Sequence, residues 1–252
     1  MPKPILRPCF GIVLGLASLS ASSIALAAPL SCSSIYVTDN GRKPVFEINT
    51  STAVLTNIGT LAGNSQIGIA VLPGATPTLY SDGGTAAPLN LQSFNGTTGT
   101  NLPTVKFSSN YGGGLGLTTT NQLFYIAKVS TTQYIYRFPN VSTTAVQVAA
   151  TTGDSVWNAL SPGDMMTDAN GRLYYFGSDG SGGGTNNFLY YLDSTNTAHR
   201  LGMYVGPSAG VGVAFDPAGK IFTIHGAALY KIDMSNGFVA TSIGTAKLGG
   251  GR

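Results

Sequence analysis

GVAFDPAGKIFTIHGAALYKIDMSNG, residues Gly212 to Gly237, holds three short β-strand patterns separated by two turn signals. Val213-Ala214-Phe215 is an apolar run that stops at Asp216-Pro217-Ala218-Gly219. Asp bonds forward to the backbone, Pro fixes φ at the second place and Gly accepts a positive φ at the fourth, which predicts a tight hairpin turn. Ile221-Phe222 then opens a second strand, and Leu229-Tyr230-Lys231-Ile232-Asp233 forms a third that ends in a turn-forming Asp.

The same parts recur along the chain. The aliphatic–aromatic pair appears as Ile35-Tyr36, Leu79-Tyr80, Leu123-Phe124, Leu173-Tyr174 and Ile221-Phe222, in steps of 44 to 50 residues. The third-strand motif keeps step with it, ending in Asn49, Asn95, Pro139, Asp193 and Asp233. Such a period is the length of a four-stranded propeller blade. A preceding strand is visible in four units, at Ile67–Val71, Gly114–Thr118, Gly163–Thr167 and Val211–Phe215, with Gly at alternating places. Glycine weakens an isolated strand, but it suits inner strands whose backbones crowd around a central axis. Fourth, outer strands are predicted near Val54–Thr56, Val146–Val148 and Ala240–Ile243. The fold class is therefore all-β: a five-bladed β-propeller of four-stranded antiparallel blades. Its units span about 32–63, 64–110, 111–159, 160–207 and 208–252.

The first unit lacks its inner strand, because the matching positions fall in a segment of another kind. Met1-Pro2-Lys3-Pro4-Ile5-Leu6-Arg7 is basic, an apolar run follows from Phe10 to Leu26, and Ala25-Leu26-Ala27 is a small-residue cleavage site. This predicts a secretory signal peptide over 1–27, with the propeller over 32–252. The run is interrupted by Gly11, Gly15 and serines and is short for a span of about 20 residues, so no transmembrane segment is expected in the mature chain. In a closed ring the missing strand commonly comes from the other end of the chain, which removes exposed sheet edges. By the spacing of the other units that strand would begin about where the sequence ends. Two readings stay open: the chain continues past Arg252, with additional domains, or a shorter segment ending at Arg252 closes the ring.

Composition agrees with export and with β structure. Only 9% of residues are charged, Glu47 is the single glutamate, and there are 34 Gly, 12 Tyr and 11 Phe. Scarce helix formers beside abundant turn and β-forming residues argue against helices. Without Lys3 and Arg7 the chain holds 11 basic against 10 acidic residues. So neutral a surface offers no footprint for nucleic acid. Loss of the leader removes Cys9 and leaves Cys32 alone, either as a buried thiol or paired outside this chain.

The pattern Gly-x-x-φ-Asp-Pro-x-Gly-x-φ-aromatic, followed by φ-Tyr-x-φ-Asp-x-x-x-Gly, resembles the exported bacterial β-propellers with NHL-type and quinoprotein-like repeats. These include propellers at the head of large surface proteins with immunoglobulin-like repeats. The likeness covers the whole mature chain, with the second unit departing from it around Pro73 and Pro77. It implies blades rather than chemistry, because one fold hosts many activities.

Propeller ligands bind at one mouth of the channel, where these loops carry Asp39, Asp82, Asp164, Asp179 and His225. The lactonase-like propellers that the fold resembles place carboxylates and Asn at the inner-strand starts, and only Asp164 fits that place. Calcium would need six or more converging oxygens, so it is the one cofactor to consider and the pattern does not require it. No motif forces two carboxylates to oppose each other as glycoside hydrolysis needs. Neither His199 nor His225 stands in a nucleophile arrangement. The glycine-rich run after Asp179 lacks the Lys-Ser/Thr of a phosphate loop. Trp157 lies outside the repeat and is either a ligand contact or a plug between blades. The expected role is a non-enzymatic binding or structural module, secreted to the periplasm, cell surface or exterior, with an unknown protein or glycan as partner. A metal-dependent hydrolase or lactonase with an Asp-rich mouth and a carbohydrate-binding lectin are the alternatives.

Overall fold

The computed structural model describes residues 10–14, 30–39, 41–64, 68–72, 77–82, 90–102, 111–118, 122–129, 131–138, 146–148, 154–178, 186–205 and 212–248. These form twenty-one strands and one 3₁₀ turn in five sheets. The first blade comprises β1 (Phe10–Leu14), β2 (Ile35–Asp39), β3 (Pro44–Ile48) and β4 (Val54–Thr60). The second comprises β5 (Ile69–Leu72), β6 (Thr78–Asp82), β7 (Leu91–Phe94) and β8 (Gly99–Asn101). In the third are β9 (Tyr111–Leu117), β10 (Leu123–Val129), β11 (Thr132–Phe138) and β12 (Val146–Val148). The fourth has β13 (Ser161–Thr167), β14 (Leu173–Ser178), β15 (Asn186–Leu192) and β16 (Ala198–Val205). The fifth has β17 (Gly212–Phe215), β18 (Ile221–His225), β19 (Ala228–Asp233) and β20 (Val239–Thr245), and β21 (Lys247–Leu248) follows it. Blades two to five are antiparallel meanders, and the innermost strands β1, β5, β9, β13 and β17 contact one another in ring order.

The turns form for the reasons their residues suggest. In the fourth blade, Asp168 Oδ1 accepts the amides of Asn170 and Arg172, both at 2.9 Å, while Gly171 takes φ +80°. Asp216 Oδ1 does the same for Ala218 and Lys220 at 2.9 and 2.8 Å, with Gly219 at φ +78°. The third strands of four blades end in the same chemistry: Asn49, Asn95, Asp193 and Asp233 each accept an amide two residues on.

The aliphatic–aromatic pair is the mortar between blades. Successive side chains of a strand point to opposite faces, so its two members serve two different gaps. Ile35 packs in the cluster shared with the fifth blade, and Tyr36 in the one shared with the second. Leu123 faces the second blade and Phe124 the fourth; Leu173 faces the third and Tyr174 the fifth, where its ring meets Phe215 edge-on at 5.0 Å. The core is thus a series of interblade seams. Around the axis the backbones crowd as the glycines suggest: a Cβ on Gly68 would come within 2.5 Å of the Leu115 nitrogen in the next blade.

The first blade departs from the others. Its own antiparallel strands are three, β2 to β4, and its inner place is taken by a distant segment, Phe10–Leu14, running parallel to β2 with Phe10 opposite Ile35 and Leu14 opposite Asp39. The C-terminal residues do reach this blade, but β21 pairs parallel with β4 on its outer edge, Lys247 opposite Val54. A strand supplied to the inner place from the far end of the chain is therefore not what is found among the described residues. The physical reason lies in β2, which is buried throughout. Its inner edge needs hydrogen-bonding partners, and the strand Phe10–Leu14, uncharged in sequence, supplies them. Cys32 also differs from a free thiol: it is disulfide-bonded and packs beside the seam of the first two blades. The chain's other cysteine, Cys9, lies outside the described residues. No helix among the described residues is long and apolar enough to cross a membrane.

Candidate functional site

Antiparallel pairing puts the start of each inner strand beside the end of the second strand, so both contribute to one mouth of the channel. Asp82, the last residue of β6, sits level with Gly68; Phe176 of β14 sits opposite Asp164, and Ile224 of β18 opposite Gly212. The second-strand ends and the Asp164 position thereby form one layer beneath the rim.

The carboxylates in this layer face inward. Asp164 is 2% exposed, and both of its oxygens are occupied by main-chain donors. The Met165 amide donates to Oδ1 at 2.8 Å, and the Val213 amide of the fifth blade donates to Oδ2 at 3.1 Å. Asp164 is therefore a staple from the fourth inner strand to the fifth. Asp82 is fully buried, and its Oδ1 accepts the Gly68 amide at 3.0 Å, fixing the start of its own blade's inner strand. Burial pushes the Asp164 carboxyl well above its ordinary range against the opposing pull of the two amides, and the charge of Asp82 raises it further. Tyr125 of β10 lies in the same electrostatic neighbourhood, its phenol raised by burial and by Asp82.

Of the other sequence candidates, Asp39 and His225 also end second strands and so share this layer, while Trp157 lies elsewhere. Asp39 ends β2, is 3% exposed, and pairs through Oδ2 with Arg42 Nε at 3.2 Å, closing the turn after the strand. His225 ends β18 and is exposed. Asp179 lies outside the described residues. Trp157 is the first residue of the 3₁₀ turn Trp157–Ala159 and is 2% exposed, set edge-on against Tyr175 and Tyr190 with both centroids at 5.1 Å. It fills the seam between the third and fourth blades. Gln133 reaches across that seam: its amide nitrogen donates to the Trp157 carbonyl, and its oxygen accepts the Tyr175 hydroxyl at 3.0 Å. Among the described residues no three His, Cys, Asp or Glu side chains gather as metal ligands.

Ile69, Leu115, Met165 and Ala214 line a cavity offering about 20 Å³ to the centre of a water molecule, room for roughly one. Larger spaces lie on the periphery. A cleft of about 370 Å³ is lined by Gly63, Asn64, Asn90, Gln92 and Asn101 together with two leucines. Gln92 organises it, accepting the Gly63 amide at 2.7 Å and donating to the Asn64 carbonyl at 3.0 Å. Sequence reasoning missed this cleft because Gln92 reads there only as a third-strand repeat position, and Gly63 and Asn64 lie in the connection between β4 and β5.

No family model matches the chain, and no curated protein matches it. Solved structures do. A Bacteroides thetaiotaomicron protein of unknown function aligns at TM-score 0.54 and 13% identity over 94% of this chain and 57% of its own, so this chain spans little more than half of that protein. A chain from a nidogen/laminin complex aligns at TM-score 0.51 and 10% identity over 82% of this chain and 76% of its own. A PQQ-bound aldose sugar dehydrogenase from Streptomyces coelicolor, at TM-score 0.48 and 12% identity over 94% of this chain and 81% of its own, is more distant. At these identities the likeness is one of fold alone.

Proposed function

We propose that this chain is an exported five-bladed propeller that binds a ligand at the cell surface or outside the cell and catalyses no reaction. The observation carrying this reading is the condition of the mouth acids. Asp164 spends both oxygens on backbone amides, Asp82 is buried beside an amide of its own, and the cavity between the described inner strands admits about one water. A general acid or base must reach the proton it transfers, and these groups face the inner strands instead. Export is supported by the basic start, the apolar run and the Ala25-Leu26-Ala27 site. It predicts a mature N-terminus at Ala28 or Pro29.

The amide cleft favours a neutral, hydroxylated ligand such as a glycan over a charged one. Asn and Gln offer paired donors and acceptors, and among the described residues the lining contains no charged side chain. A screen of the exported protein against lactones, esters and glycosides, run beside a glycan array, tests both parts. The expected result is no turnover, with glycan binding that Asn101→Ala weakens. Turnover that co-purifies with the protein contradicts the reading, and so does glycan binding indifferent to the cleft.

A further inference from the structure

The turns that end the third strands are built alike but differ in one atom. In the fourth and fifth blades the turn residue is an aspartate. Asp193 Oδ1 accepts both the amide and the hydroxyl of Thr195, at 2.8 and 2.6 Å, and Asp233 Oδ1 does the same for Ser235 at 3.0 and 2.7 Å. The first and second blades have asparagine in that place, within Asn49-Thr50-Ser51 and Asn95-Gly96-Thr97. Asn49 spends its Oδ1 on the Ser51 and Thr52 amides at 2.9 and 3.1 Å, and Asn95 on those of Thr97 and Thr98 at 2.9 and 2.8 Å. The turn therefore uses only the oxygen, which an aspartate supplies equally well, and asparagine adds an Nδ2 group for which it has no use. Asn49, Ser51, Asn95 and Thr97 are all exposed. Asn-x-Ser/Thr without a central Pro is the acceptor sequence for N-linked glycans on surface loops of exported proteins. Another copy, Asn140-Val141-Ser142, lies outside the described residues. Beside Asn49 runs a cleft of about 340 Å³ lined in part by Ser33, Thr50, Ser51, Glu47 and Asp216, polar groups suited to sugar hydroxyls.

We propose that Asn49 and Asn95 are modification sites at which a saccharide is attached through Nδ2 during or after export. The inference rests on the export reading. The donor is a saccharide carried on a polyprenyl diphosphate. Asn Nδ2 forms a bond to the anomeric carbon, the bond from that carbon to the diphosphate oxygen breaks, the diphosphate leaves with the bonding pair, and Nδ2 gives up one proton. Nothing is oxidised or reduced. The product keeps Oδ1 as an acceptor, so the two amide bonds that shape each turn survive the modification. Ile35 pairs with Ile48 and Leu79 with Phe94, so each third strand ends beside the start of the second, at the end away from the mouth. Sugars on these turns stand on the opposite face of the ring and leave the mouth and the Gln92 cleft clear.

The test uses the full chain recovered after export from the organism that encodes it. Intact mass under reduction reports the N-terminus and any added saccharide, and tandem mass spectrometry of proteolytic peptides assigns the carrier residue. Two kinds of variant separate modification from turn structure. Asn49→Asp and Asn95→Asp keep the turn acceptor, as Asp193 and Asp233 do, and remove the acceptor nitrogen. Ser51→Ala and Thr97→Ala keep the asparagine and break the motif. The expected result is a chain that begins at Ala28 or Pro29 with saccharide on Asn49 and Asn95. Each substitution should abolish the saccharide on its own turn alone, while circular dichroism shows the variant folded. A shortened chain with both asparagines unmodified, or altered only by deamidation, overturns the proposal and leaves the export reading standing. Saccharide that persists on the same peptides in the Asp variants also overturns it, since the carrier is then another residue. A retained N-terminus with both asparagines unmodified overturns the export reading and the proposal together.

Discussion

Replacing Asp164 with alanine should loosen the joint between the fourth and fifth blades. The substitution leaves the Met165 and Val213 amides, both in buried inner strands, without their acceptor. An orphaned buried amide costs about 1–3 kcal/mol, and removal of a desolvated carboxyl beside Asp82 returns part of that. A net loss of about 2–4 kcal/mol remains, which for a chain of this size lowers Tm by about 4–16 °C. Asp164→Asn keeps one acceptor oxygen and should cost about half as much.

The pH dependence gives a second handle. Burial raises the folded pKa of Asp164 above its ordinary 3.8, so the folded protein holds this proton to higher pH than the unfolded chain does. The corresponding stability is fully present below the unfolded value and is lost as pH rises through the folded one. The wild type should therefore lose its advantage over Asp164→Asn as pH climbs from about 4. Urea unfolding of both proteins across that window is the assay. If Asp164→Ala is as stable as the wild type but loses ligand binding or an activity, the staple argument is refuted and Asp164 belongs to a working site.

Other substitutions probe the remaining joints. Trp157→Ala should destabilise the protein by about 3–5 kcal/mol in urea unfolding, since its ring is buried in the seam between blades three and four, while leaving ligand affinity unchanged at temperatures where the variant is folded. Gly68→Ala should disrupt the ring at the second and third inner strands, because the added carbon would strike the Leu115 nitrogen. Low soluble yield or a depressed Tm checks it. Asp168→Ala and Asp216→Ala each remove a side chain holding two turn amides. Each should cost about 1–2 kcal/mol, and the pair should add, since they lie in separate turns.

What the residues disclosed beforehand was local. The turns at Asp168 and Asp216 are written within five residues and appear with their hydrogen bonds in place. The aliphatic–aromatic pair likewise encodes its own alternation, so it marks the blades while leaving unspecified which neighbour each side chain meets. Distance in sequence hid the rest. The role of Asp164 depends on Val213, 49 positions away, and read alone Asp164 resembles a ligand-binding carboxylate at the mouth. Trp157 is fixed by Gln133, Tyr175 and Tyr190 from two blades, none marked as its partner by the repeat. The parallel strand at Phe10–Leu14 carries no local signal either, since an uncharged apolar run serves equally as a leader or as an inner strand.

The most direct test of a mouth built for structure rather than chemistry is a crystal structure of the exported protein grown with excess calcium. The account predicts Asp164 bonded to the Met165 and Val213 amides, Asp82 on Gly68, and no ion between them. A calcium ion held by Asp82 and Asp164, with those amide bonds broken, would contradict it and make the channel mouth a metal centre.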